Sequence, residues 1–141
     1  MPSVQKSIRV PEETVRAVEE MAAQSGKDFS ALVKELLIEA LKARKCPGII
    51  YVDGPSGRRA RIAGSGIEVW EFMANFKAMN EDYAKIKQAY HWLNEQQIRA
   101  AFTYYTFYPD DIEEHIRSNA GQTKNAVLKR CPFLAKPEVK P

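Results

Sequence analysis

The sequence predicts a mainly α chain with short β segments: a strand–helix–helix unit at the N-terminus, then a small helical domain preceded by a β-hairpin. Three observations carry that prediction. The run Gln5-Lys6-Ser7-Ile8-Arg9-Val10 has strand periodicity, stops at Pro11, and precedes two stretches with apolar residues at helical spacing. Two strand-like runs then flank the turn cluster Asp53-Gly54-Pro55-Ser56-Gly57. Beyond them, apolar and aromatic residues return at helical spacing as far as residue 116. The 141 residues suffice for two very small domains, placed at residues 1–45 and 46–120, with a basic tail over residues 121–141.

The opening run, read as a strand, sends Gln5, Ser7 and Arg9 to one face and Lys6, Ile8 and Val10 to the other. A lone strand of this length leaves its edge and its apolar face without partners, and no hairpin mate lies nearby. The same strand of a second copy, antiparallel across a two-fold axis, is the simplest partner. Such a ribbon displays two sets of Gln, Ser and Arg, side chains suited to base edges in the DNA major groove.

Pro11-Glu12-Glu13 opens the first helix, with acids near the positive end of the dipole. Val15, Val18, Met21 and Ala22 form its apolar stripe, and Ser25-Gly26 stops it, glycine taking the left-handed cap conformation. A second helix is expected at or near Ser30, a favoured N-cap residue, with Leu32, Val33, Leu36, Leu37, Ala40 and Leu41 as its apolar face. Forty-five residues are too few for a monomeric core, so dimerisation through Ile8, Val10, Leu36 and Leu37 is expected.

Together, Ser-Ile-Arg-Val-Pro-Glu-Glu from Ser7, the Ser25-Gly26 turn and the Ser30-led apolar helix resemble a ribbon-helix-helix DNA-binding domain over about residues 3–45. The resemblance implies that the paired strands enter the major groove of double-stranded operator DNA and that the start of the second helix holds a backbone phosphate. Carried over, the base-facing residues are Gln5, Ser7 and Arg9. The phosphate clamp is formed by the amides around Ser30 and Ala31, with the Ser30 hydroxyl assisting. Lys6 departs from the family pattern, in which this position is buried and apolar.

In the middle segment, residues 48–52 and 58–63 make the two arms of the hairpin around its turn. Gly64-Ser65-Gly66 then leads into a helix to about Ala78, followed by another over about residues 83–90. Asn94 caps a further helix carrying Ile98, Ala101, Phe102, Tyr105 and Phe107, and Pro109-Asp110-Asp111 opens the next through Ile116. Gly64-Ser65-Gly66 lacks the length and lysine of a phosphate loop. Asp110, Asp111, Glu113, Glu114 and His115 scatter around a helix axis, and acids in a first turn answer the dipole, so no metal site is expected. The aromatic residues, from Trp70 to Tyr108, read chiefly as core. Nucleophile–base pairs and cofactor motifs are absent, and neither enzymatic activity nor a cofactor is expected.

Residues 58–116 resemble a small helical domain related to VapB-type antitoxins, through the Arg-rich strand, Gly64-Ser65-Gly66-Ile67-Glu68-Val69 and Leu93-Asn94-Glu95-Gln96-Gln97-Ile98-Arg99-Ala100-Ala101. The family turn usually reads Gly-Thr-Arg-Ile-x-Val, and its arginine is missing here. This resemblance implies an autoregulating repressor that also neutralises a PIN-type ribonuclease toxin. In another reading, the chain is a homodimeric protein-interaction module whose ribbon only assembles it.

Composition agrees with a folded chain, since 45% hydrophobic and 28% charged residues are not those of a disordered one. No run of about eighteen apolar residues and no signal pattern occurs, so a cytoplasmic protein without membrane partners is expected. The net charges of residues 1–45, 46–120 and 121–141 are +1, −2 and +4. The basic tail, with Lys129, Arg130, Phe133 and Leu134, is thus the expected segment for an acidic partner. Cys46 and Cys131 lack metal-site or CxxC spacing and read as two thiols.

Overall fold

The computed structural model describes residues 2–54 and 57–130, with residues 120–130 described by their backbone alone. The described residues contain six helices and one two-stranded sheet, a mainly α fold with a short hairpin, as the periodicities predict. They divide into two compact units, residues 1–44 and 45–141.

In the first unit, residues 2–10 are exposed and form no strand within the single chain. The expected ribbon is therefore not an intrachain element; a strand needs a ladder partner, and this unit has none to offer. Helix α1 (Glu12–Ser25) begins just after Pro11, whose carbonyl accepts the Thr14 and Val15 amides at 3.0 and 3.1 Å. It ends at Gly26, whose φ of 68° lies in the left-handed region. There the Lys27 amide reaches the Ala22 carbonyl (3.0 Å) and the Gly26 amide reaches Ala23 (3.4 Å), the paired bonds of a Schellman stop. Helix α2 (Phe29–Lys45) starts one residue before Ser30. Only Ala22 and Leu32 are buried in these two helices, so one copy of this unit has almost no core.

The second unit holds a proper core. Strand β1 (Ile49–Gly54) pairs antiparallel with β2 (Gly57–Ile62), with Ile49 opposite Ile62 and Tyr51 opposite Ala60. Gly64 and Gly66 take φ of 76° and 74°, and the chain reverses between them. The Ser65 hydroxyl donates to the Ile62 carbonyl (2.7 Å) and accepts the Ile67 amide (3.0 Å), while the Ile62 amide bonds Ile67 (2.8 Å). Gly64-Ser65-Gly66 is thus a structural turn that hands β2 on to helix α3 (Val69–Ala78).

Helices α4 (Tyr83–Ala89) and α5 (Glu95–Phe107) follow, α5 held by a capping box in which Asn94 and Gln97 exchange side-chain and backbone bonds. Helix α6 (Pro109–Arg130) packs beside α3 and α5. Its length corrects the sequence expectation of a helix through Ile116 followed by a basic tail from residue 121. A single interior glycine costs only about 1 kcal/mol relative to alanine, and no proline intervenes before Pro132. Ile62, Val69, Phe72, Ile86, Ile98, Tyr104 and Ile112 form the dry centre, with Cys46 fully buried beside them. Cys131 lies outside the described residues. The aromatic set is chiefly core as expected, with Trp92 and Phe107 about half exposed.

Candidate nucleic-acid interface

The candidate interface comprises the extended segment and the start of α2. Gln5, Ser7 and Arg9, which strand alternation would put on one face, are all exposed in the single chain. The opposite set has a different fate. Lys6, Ile8 and Val10, with Ser7, line an open groove of about 810 Å³ whose floor and walls include Val15, Val18, Val33, Leu36 and Leu37. Three of the four residues expected in the dimer core keep much of their surface uncovered: Ile8 is 77% exposed, Leu37 57% and Val10 40%. Leu41 and Ile38 on α2 are similarly open. An apolar face of this extent on so small a unit calls for a cover.

At the start of α2 the structure corrects the capping assignment. The Asp28 carboxylate, not the Ser30 hydroxyl, receives the Ala31 amide, at 2.6 Å, and the Asp28 carbonyl receives the Leu32 amide, at 3.1 Å. Both Asp and Ser are favoured caps, and α2 is nucleated at the earlier one. Ser30 therefore sits inside the first turn, exposed, and the Ala31 amide of the expected phosphate clamp is already occupied. Next to it, Lys27 is committed to Glu35 through both carboxylate oxygens at 2.8 Å. The acids Glu12, Glu13 and Glu20 gather with Arg16 along α1.

Polar clusters that the sequence does not announce form in the second unit. Buried Arg59 pairs with Glu68 at 3.3 Å, and the Trp70 indole donates to the same carboxylate. The Tyr51 hydroxyl meets the Tyr104 hydroxyl (2.9 Å), which in turn lies 3.2 Å from Asp111. Burial raises the Tyr104 pKa, keeping it a neutral hydrogen-bonding group. His115 stands among Arg59, Glu68, Asp111 and Glu114, and burial followed by the Arg59 charge lowers its pKa.

Elsewhere, Lys77 of α3 binds Glu113 of α6 at 2.7 Å and lies over the Tyr105 ring, whose hydroxyl also donates to Glu113. The Lys77 bond lowers the Glu113 pKa, and the same bond raises that of Lys77. Of the acids weighed as metal ligands, Asp111 and Glu113 belong to separate clusters while Asp110 and Glu114 are exposed, and among the described residues no group of three or more ligating side chains comes together. The only advance signal for these clusters was an arginine-rich strand beside an aromatic-rich helix.

Of the tail residues expected to meet a partner, Lys129 and Arg130 lie on the α6 backbone, and Phe133 and Leu134 lie outside the described residues. Among the described residues, no helix is long and apolar enough to cross a membrane. No curated protein and no solved structure matches the chain. Residues 7–44, the span of Ser7, α1 and most of α2, match the family model described as ribbon-helix-helix protein, copG family.

Proposed function

We propose that this chain is a homodimeric DNA-binding transcription regulator that reads its operator with a two-stranded ribbon of residues 5–10. One observation carries the reading. Ile8 and Val10, the apolar half of the alternating segment, line an open groove, whereas Gln5 and Arg9 of the other half are exposed and stand outside its lining. A second copy laid across the two-fold axis covers the first half and doubles the second. The family match over residues 7–44 supports the same assembly. Gln5, Ser7 and Arg9 then face the major groove, where Arg9 is suited to grip guanine, a contact worth about 1–3 kcal/mol of discrimination. Contacts from Ser30 and the first amides of α2 belong to the backbone and add no sequence information.

The finer proposal is an autoregulating repressor that neutralises a PIN-type ribonuclease through the second unit and tail, including Lys129, Arg130, Phe133 and Leu134. It rests on the resemblance of residues 58–116 and on the +4 charge of the tail. The test is a gel shift on the chain's own upstream DNA at two salt concentrations, with Arg9→Ala alongside. Specific, salt-sensitive binding that Arg9→Ala loses supports the reading. Dimeric protein that binds no DNA at low salt refutes it and leaves the homodimeric interaction module. Co-purification with the product of a neighbouring reading frame tests the toxin partner.

A further inference from the structure

We propose that Lys6 is a brake on dimer assembly, which keeps the free dimer weak and makes DNA occupancy rise steeply with protein concentration. This rests on the homodimeric DNA-binding reading above. Alternation along the opening segment puts Lys6 on the same side as Ile8 and Val10. The folded chain keeps that grouping, since all three line the groove of about 810 Å³ together with Leu36 and Leu37 of α2. The rest of the lining offers hydroxyl groups but no carboxylate.

A second copy that covers this groove therefore closes an apolar seam over two lysines, one from each copy. An ammonium held in such a seam without a counter-charge is costly, so the Lys6 stem must bend outward and carry its charge to water at the rim. That posture orders a flexible side chain and leaves the space beneath it poorly filled. Both costs fall on the dimer and not on the single chain, where Lys6 is exposed. The consequence reaches DNA, because only the paired ribbon presents both sets of Gln5, Ser7 and Arg9. While the free dimer is mostly dissociated, operator occupancy follows the square of protein concentration; a tight dimer would bind in simple proportion.

Lys6→Met keeps the length of the side chain, removes its charge and has the flexibility to fill the seam. Lys6→Gln is a second, neutral variant, and Lys6→Arg keeps the charge. Sedimentation velocity over a concentration series without DNA reads the dimer dissociation constant. Fluorescence anisotropy on a duplex from the chain's own upstream DNA reads the steepness of binding. Lys6→Met is expected to lower the dimer dissociation constant by about ten- to hundredfold, with Lys6→Gln moving it less far and Lys6→Arg leaving it high. The Hill coefficient for DNA should fall from about two in the wild type toward one in Lys6→Met. A Lys6→Met dimer no tighter than wild type, or a tighter one with unchanged steepness, overturns the inference and leaves the DNA-binding reading intact. Equal tightening by Lys6→Arg overturns it as well, since charge would then not be the cause. A wild-type dimer that binds no DNA overturns the DNA-binding reading and, with it, the steep DNA response.

Discussion

Leu37→Ala is the most direct probe of the proposed assembly. Leu37 lies on α2 beside Ile8 and Val10 in the open groove, and 57% of it is exposed in the single chain. Truncating it removes little that one copy has buried. Fully burying a leucine side chain contributes about 1.5–3 kcal/mol, so covering the exposed part contributes about 1–2 kcal/mol. Two-fold symmetry counts that contribution twice, giving about 2–4 kcal/mol per dimer. At about 1.4 kcal/mol per tenfold, the dimer dissociation constant rises by about 30- to 700-fold.

Sedimentation velocity over a concentration series reads this shift directly. Because one copy has almost no core of its own, the thermal midpoint of the first unit should also depend on protein concentration, more steeply in Leu37→Ala. Trp92→Ala, a change of similar exposure on the second unit, serves as the control and should leave the association constant alone. An unchanged dissociation constant in Leu37→Ala would show that the α2 face is not the seam between copies, and the ribbon assignment would fall with it.

Two further predictions follow from local geometry. Gly26→Ala meets no steric obstacle, since a Cβ there has nothing within 4 Å, but it must adopt a φ near 68°. The left-handed conformation costs about 1–2 kcal/mol for a residue with a Cβ, and the denaturation midpoint of the first unit should drop accordingly. His115 is kept neutral by burial and by Arg59, against the opposing charges of Asp111, Glu114 and Glu68. Its folded pKa lies below the unfolded value of about 6.5, so the unfolded chain takes up the proton first as pH falls. Stability is therefore complete above pH 6.5 and is lost as pH drops below it; urea midpoints from pH 7.5 to 5 should show the slope, and His115→Gln should flatten it.

The signals that translated directly from residues to structure were those written in neighbouring positions. Gly26 ends α1 because a left-handed residue must follow the last turn, and Asn94 opens α5 because its partner Gln97 stands three residues on. The hairpin over residues 49–62 follows from two strand-like runs around a turn cluster, and its register needs only those residues. Alternation along residues 5–10 likewise separated an apolar set from a polar one, although nothing in a single chain turns that set into a strand. Each of these is a short-range effect, decided within a few residues of backbone.

Where two local solutions compete, or where partners lie far apart in the chain, only the tertiary structure decided. Asp28 and Ser30 are both good caps two residues apart, and the start of α2 falls at Asp28, which leaves the Ala31 amide engaged. Gly121 permits a stop but does not impose one, and α6 runs through it to Arg130. Tyr51 and Tyr104 are 53 residues apart, and Arg59 meets Glu68 only because the Gly64-Ser65-Gly66 turn folds β2 back toward the start of α3. Such pairings arise from packing free energy summed over the whole core, which no local pattern records. The first unit is divided between the two: its want of a core follows from its length, whereas the tertiary structure decides which apolar residues stay uncovered in one copy, Ile8, Leu37 and Leu41 among them.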